Sequence, residues 1–152
     1  MVNRKLLKYD LMYLDICDRI AKMSFAKRAQ VGALLVKDDN IIGMGWNGMP
    51  SGFDNNCEFQ KPSCSFDNKI TRPEVLHAES NCISKVAKSN QSSLDSTMYV
   101  TISPCMDCAK MIAQSGIKRL VYKKFYRDQK SLDFLSKYGI ILVNHEFESK
   151  KT

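Results

Sequence analysis

From about Arg4 to Met23, Leu7, Leu11 and Leu14 fall on one line, with Met12, Ile16, Ile20 and Met23 on the line beside it. Apolar residues at this spacing form a wide stripe on one side of a helix, so the pattern predicts a core-facing helix. The period then changes. Val31-Gly-Ala-Leu-Leu-Val36 is a continuous apolar run, Asp38-Asp39-Asn40 reads as a turn, and Ile41-Ile-Gly-Met44 is a second run, which predicts an antiparallel hairpin. Three more apolar runs follow, Thr97 to Ile102, Arg119 to Tyr122 and Ile140 to Val143, and helical segments separate them. Helical patterns are expected from His77 through Ala87, from Cys105 to Ser115, and from Asp128 to Tyr138 with Leu132 and Leu135 on its apolar side. This order gives an α/β fold with a five-stranded mixed sheet between helical layers, a three-layer α-β-α arrangement. The segment from Asp128 to Tyr138 is long enough to cross over and leave the last two strands parallel.

Residues 49 to 76 break the rhythm. They carry Pro50, Gly52, Cys57, Pro62, Cys64 and Pro73 without helical or strand periodicity, and a loop that long in a compact domain is usually functional. With 152 residues the chain is read as one domain, 1–152, without internal repeats; the tail after Phe147 is polar and expected to fray. No apolar run approaches the roughly 18 residues of a membrane span, and the first residues lack a signal-peptide stretch, so a cytoplasmic protein is expected. Two of the six cysteines sit at metal spacing, and Cys17 and Cys82 fall on apolar helix faces, so the thiols are read as reduced. The net charge of +7, from 23 Lys and Arg against 16 Asp and Glu, favours polyanionic ligands, either nucleotides or nucleic acid. Lys118, Arg119, Lys123, Lys124, Arg127 and Lys130 concentrate that charge around one strand and its exit loop, where some should face phosphate.

Against this background two short segments stand out, His77-Ala-Glu79 and Pro104-Cys-Met-Asp-Cys108. One imidazole and two thiolates supply three ligands for a zinc ion and leave the fourth tetrahedral position open for water, with its pKa lowered to roughly 7. Glu79 is then placed to take a proton from that water and return protons to a substrate. Positions two apart on a helix do not face each other, but side chains at the very first turn can both project past its end. Pro104 is expected to introduce a second helix whose positive N-terminal end favours thiolates. A closed Cys3His cluster would need a further ligand and leave Glu79 without a role, and a redox C-x-x-C would give neither His77 nor Glu79 one.

H-x-E followed by P-C-x-x-C is the signature of zinc nucleobase deaminases. With those motifs on this order of elements, almost the whole chain resembles the cytidine deaminase superfamily. Within it, the chain resembles the deoxycytidylate (dCMP) deaminases, phage-type members such as the cyanophage enzyme above all. The resemblance is also carried by Arg28-Ala-Gln-Val-Gly-Ala33, Gly45-Trp-Asn-Gly-Met-Pro50, Thr97 to Cys105, and Ala113-Gln-Ser-Gly-Ile-Lys-Arg-Leu-Val-Tyr122. It implies a cytidine deaminase-like fold and hydrolysis of dCMP to dUMP and ammonia, feeding thymidylate synthesis. It assigns His77, Cys105 and Cys108 to zinc and Glu79 to proton transfer. Asn47 would hold the deoxyribose hydroxyl, Ser24, Arg28, Tyr126 and Arg127 the phosphate, and Ala78, Thr101 and Ser103 the pyrimidine edge.

The resemblance further implies a hexamer, with activation by dCTP carrying Mg2+ and inhibition by dTTP at a site near Asn47, Gly48, Ser51, Gly52 and Asp54. Lys88 is a candidate for bridging subunits, against the plainer reading of an exposed helix lysine. Some phage members hold a second, structural zinc; here Ala26 stands where one of its cysteines would be and the insert has no histidine before His77, so one zinc per chain is expected. Two alternatives remain open at this point. One is a tRNA or polynucleotide deaminase with the same chemistry; the other is a nucleic-acid-binding, competence-type protein that keeps the fold. The free-monophosphate reading expects neither nucleic acid nor membrane as partner.

Overall fold

The computed structural model describes residues 3–60 and 69–146; Pro62, Cys64 and the tail after Phe147 lie outside the described residues. Helix α1 (Arg4–Ala21) begins where the Asn3 side chain accepts hydrogen bonds from the Lys5 and Leu6 amides, and it buries Leu14, Cys17 and Ile20. It ends two residues before Met23, because the Met23 and Ser24 amides bond three residues back and tighten the last turn. Strands β1 (Gly32–Lys37) and β2 (Asn40–Trp46) form the expected antiparallel hairpin. Asp38 and Asp39 take φ of 49° and 61°, the pair of positive angles that a two-residue hairpin turn needs to match strand twist.

After the insert come α2 (Ala78–Ala87), β5 (Thr97–Ile102), α3 (Met106–Gln114), β6 (Arg119–Lys124), α4 (Lys130–Tyr138) and β7 (Ile141–Asn144). The insert itself corrects the reading of residues 49 to 76 as free of strands. It contains β3 (Glu58–Gln60) and β4 (Lys69–Thr71), paired antiparallel as a small separate ribbon. Three residues are too few for an alternation to register in the sequence.

The main sheet runs β2-β1-β5-β6-β7, with β1 antiparallel to both neighbours and β5, β6 and β7 mutually parallel. The pleat sorts side chains between two cores. Ala33, Leu35, Met98, Val100, Leu120 and Tyr122 pack against α2, α3 and α4, while Leu34, Val36, Tyr99 and Val121 pack against α1. That is the three-layer arrangement, and each fully buried leucine in it contributes roughly 1.5–3 kcal/mol. Helix α2 lies close on the hairpin, since a Cβ at Gly45 would collide with the Ala78 carbonyl and come within 2.6 Å of the Cys82 amide nitrogen. Only glycine lets the two backbones meet this closely, and the contact fixes where α2 starts. Among the described residues no helix is long and apolar enough to cross a membrane.

Candidate active site

His77 and Cys105 occupy equivalent places, each the extended residue just before a helix, α2 and α3 respectively. Neither side chain caps its own helix, so both are free to reach toward a common point. The Nδ1 atom of His77 lies 3.5 Å from the Cys105 sulfur and 3.5 Å from the Cys108 sulfur. Tetrahedral ligands at about 2.0 Å for nitrogen and 2.3 Å for sulfur lie about 3.5 Å apart, so the donor set fits a zinc ion. It is the only such group of His, Cys, Asp and Glu among the described residues.

Of the three donors, Cys105 is the one already held toward the deprotonated form that a metal ligand needs. Hydrogen bonds from Cys108 and His77 hold the Cys105 thiol down to about 4, while the bond to Cys105 and burial push Cys108 up. The downward direction is the one a cation bound between the sulfurs would extend to both. His77 is raised, chiefly by its bond to Cys105 against the opposing effect of burial.

Glu79 sits in the first turn of α2 and is only 4% exposed. Burial pushes its carboxyl up to about 7, against the pull of its own backbone and of His77. Because His77 lies before the helix rather than in it, the spacing of two brings both groups to one place. A carboxyl poised near neutrality beside a metal-type donor set is suited to give and take protons.

A cavity of about 230 Å³ opens from this point. Arg28, Asn47, Ala78, Glu79, Ser103, Tyr126 and Arg127 line it, so seven of the residues assigned to substrate or proton transfer are brought together. Ser24 and Thr101 are not in its wall. The Ser24 hydroxyl donates to the Asn47 carbonyl at 2.6 Å and accepts from the Ala26 amide, and the Thr101 hydroxyl accepts from the Gly32 amide. Both are buried braces of the hairpin entry. Asn47 is also committed to the backbone: its Oδ1 accepts from the Val31 amide and its Nδ2 donates to the Ala29 carbonyl, each at 2.8 Å.

Ser103 ties the loop after β6 to the site. Its hydroxyl accepts from the Tyr126 amide at 2.6 Å, and its amide donates to the Lys124 carbonyl at 2.8 Å. The basic cluster that the sequence placed here divides in two. Lys118 pairs with Asp95, Arg119 with Asp10 and Lys123 with Asp18, whereas Arg127 lines the cavity. Arg28 also lines it, its guanidinium donating to the Thr71 hydroxyl at 3.1 Å.

Of the residues assigned to regulation, Gly48 pairs in an isolated bridge with Leu76, the residue before His77. Ser51 and Gly52 are exposed, Asp54 pairs with Arg72 at 3.3 Å, and Lys88 is the exposed residue closing α2. The sequence reading missed Glu58 and Thr71, which line the cavity from the β3–β4 ribbon. The one local signal was an acidic residue next to Cys57 in an otherwise patternless insert.

The sequence matches the cytidine and deoxycytidylate deaminase zinc-binding region family over residues 8–124. It is 36% identical over 167 residues to the deoxycytidylate deaminase of Enterobacteria phage T4, covering 86% of each chain. It is 35% identical over 123 residues to the deoxycytidylate deaminase of Mycobacterium phage D29, covering 76% of this chain and 94% of that one. The fold superposes on dCMP deaminase from the cyanophage S-TIM5, solved in complex with dCMP and dUMP, with a TM-score of 0.81 and 37% identity over 95% of this chain and 100% of that chain.

Proposed function

The chain belongs to the cytidine and deoxycytidylate deaminase family of hydrolytic enzymes, and we propose that its own reaction is the hydrolysis of dCMP to dUMP and ammonia. The observation that carries this reading is that buried Glu79 lines one cavity with His77 and Cys105, which Cys108 joins in a metal-type group, while two exposed arginines, Arg28 and Arg127, line the same space. A zinc ion held by His77, Cys105 and Cys108 would supply an activated water. Glu79 takes a proton from the water as its oxygen bonds to C4 of the cytosine, and passes it to N3. It then takes the remaining hydroxyl proton and delivers it to the amine, which leaves as the C4–N bond breaks. One buried carboxyl near neutrality serves both directions. Arg28 and Arg127 offer planar donors to the 5′-phosphate, and the loop tie through Ser103 keeps Arg127 in place.

The same reading includes one zinc per chain and action in the cytoplasm. It includes a hexamer activated by dCTP with Mg2+ and inhibited by dTTP around Asn47, Gly48, Ser51, Gly52 and Asp54, with Lys88 at a subunit contact. Support for coupling comes from the Gly48–Leu76 bridge, which ties the hairpin exit to the residue preceding the metal-type histidine. The test is turnover by zinc-loaded protein of dCMP, deoxycytidine, dCTP and a cytosine-containing oligonucleotide. A clear preference for dCMP is expected. Equal rates on deoxycytidine overturn the phosphate assignment, and a preference for the oligonucleotide overturns the free-nucleotide reading. A rate curve against dCMP that ignores both triphosphates overturns the regulatory part.

A further inference from the structure

The two peptide groups that flank Asn47 are held from opposite sides. Toward the hairpin entry, the Asn47 amide donates to the Val31 carbonyl at 3.3 Å and the Asn47 carbonyl accepts from the Ser24 hydroxyl at 2.6 Å. Toward α2, the Gly48 amide donates to the Leu76 carbonyl at 3.1 Å and the Trp46 carbonyl accepts from Asn81 Nδ2 at 2.9 Å. Amide and carbonyl of one trans peptide point opposite ways, so with the Asn47 amide turned to Val31 the Trp46 carbonyl points off the edge of the sheet, which β2 forms. No strand serves it there, and Asn81 does. Asn81 lies one turn beyond His77, whose carbonyl accepts the Asn81 amide at 2.9 Å. One turn further along the same helix face, the Lys85 ammonium sits 4.3 Å from the centre of the Trp46 ring. Helix α2 therefore grips Trp46 by its backbone and by its ring.

The grip spans two walls of the reaction cavity. Asn47 forms one, and after its bonds to Val31 and Ala29 its side chain keeps one N–H and one lone pair for a ligand. Glu79, two residues before Asn81 on α2, forms the other. The interval between them decides where a ring held beside Asn47 meets the proton carrier. Two of the ties that set this interval are backbone contacts, the Gly48–Leu76 bridge and the close approach of Gly45 to Ala78 and Cys82. Among the described residues the Asn81–Trp46 bond is the one side-chain hydrogen bond between the hairpin exit and α2. We propose that Asn81 is a positioning residue for the deamination: by holding the Trp46 carbonyl it sets Asn47 against Glu79 and fixes the pose in which the ring reaches the carboxyl. The proposal rests on the deaminase reading above. A misplacement of about 1 Å in such a pose costs on the order of 10² in rate, so a tie that touches no substrate atom still weighs in kcat.

Trp46 is the chain's single tryptophan, so its fluorescence reports this contact alone. In Asn81→Ala, kcat on dCMP, counted per zinc-loaded molecule so that a folding loss drops out, should fall about 10-fold or more. KM, governed by the phosphate contacts of Arg28 and Arg127, should change less than about threefold, and acrylamide quenching of Trp46 should rise. Asn81→Asp keeps the size but turns an oxygen toward the Trp46 carbonyl; it should lose as much, and it carries the test if Asn81→Ala does not fold. Lys85→Met removes the charge over the ring and leaves the carbonyl tie, so Trp46 emission should shift with kcat unchanged. A kcat within about twofold of the parent in the Asn81 variants overturns the assignment. So does a fall in kcat with Trp46 quenching unchanged, which places the effect outside the hairpin exit, and so does an equal fall in Lys85→Met, which assigns it to the ring. A parent that deaminates another cytosine ligand and not dCMP sinks the dCMP reading alone, since the same kcat and quenching comparison then decides the role of Asn81 on that ligand. A parent that deaminates no cytosine ligand sinks both.

Discussion

Asp10 and Glu79 are carboxyls on opposite faces of one sheet, 2% and 4% exposed, and their environments push them in opposite directions. Burial alone would raise both. At Asp10 that effect is outweighed by Arg119, whose two terminal nitrogens sit 2.8 Å and 2.5 Å from the two oxygens, by the Tyr99 hydroxyl at 2.8 Å and by His145 at 3.3 Å, so the carboxyl is lowered. At Glu79 the offsetting contacts are weaker and burial carries the carboxyl up to about 7. The difference teaches that burial makes an acid reactive only where partners are withheld. A fully partnered one becomes a structural fastener, here joining α1, β5, β6 and the residue after β7.

The largest expected effect breaks the reactive side of this pair. Glu79→Gln keeps the shape and removes the proton acceptor, so kcat on dCMP should fall by about 10² to 10⁴ or more while zinc content and the circular dichroism spectrum stay as in the parent. Activity within tenfold of the parent would falsify the shuttle role. Asp10→Ala attacks the quiet side. Removing one partner leaves the half-buried Arg119 without its counter-charge, and a loss of up to about 3–5 kcal/mol in urea unfolding is expected, with kcat unchanged in the folded fraction. A stability within 1 kcal/mol of the parent, measured the same way, shows that the cluster fastens nothing.

Acid should sharpen the contrast. Asp10 is depressed in the folded state, so its stabilisation is present above its unfolded value of about 3.9 and drains away as the pH falls through its lower folded value. Urea midpoints measured from pH 6 downward should therefore drop, and Asp10→Asn should flatten that part of the curve. A parallel drop in both proteins assigns the acid sensitivity to other groups. The smallest effect concerns the loop that carries Arg127. Ser103→Ala removes the acceptor for the Tyr126 amide, worth about 1 kcal/mol, so KM for dCMP should rise about fivefold with little change in kcat. A fall in kcat at constant KM points instead to a role at the reacting atoms.

The elements were largely legible because each is announced locally. The stripe from Leu7 to Ile20, the hairpin around Asp38-Asp39 and the crossover before β7 are properties of neighbouring residues, and each lies within a few positions of where the pattern put it. His77, Glu79, Cys105 and Cys108 were equally legible, since both motifs are short and a helix start supplies most of their geometry. The ribbon in the insert was not. Strands of three residues carry no period, and Glu58 and Thr71 reached the cavity only through a pairing that the insert does not advertise.

The sequence alone determined which residues alternate, where helices begin and which side chains are chemically able to hold zinc or carry protons, because those follow from spacing and residue type. The tertiary structure decided their company. Asp10 meets Arg119 across 109 positions, and Lys27 and Arg28 meet Glu58 across 31 and 30. It is also the fold that turned Lys118, Arg119 and Lys123 toward carboxylates and left Arg28 and Arg127 on the cavity. A charge in the sequence is only a charge; burial and the partners that packing brings within hydrogen-bond reach decide whether it fastens, binds or reacts.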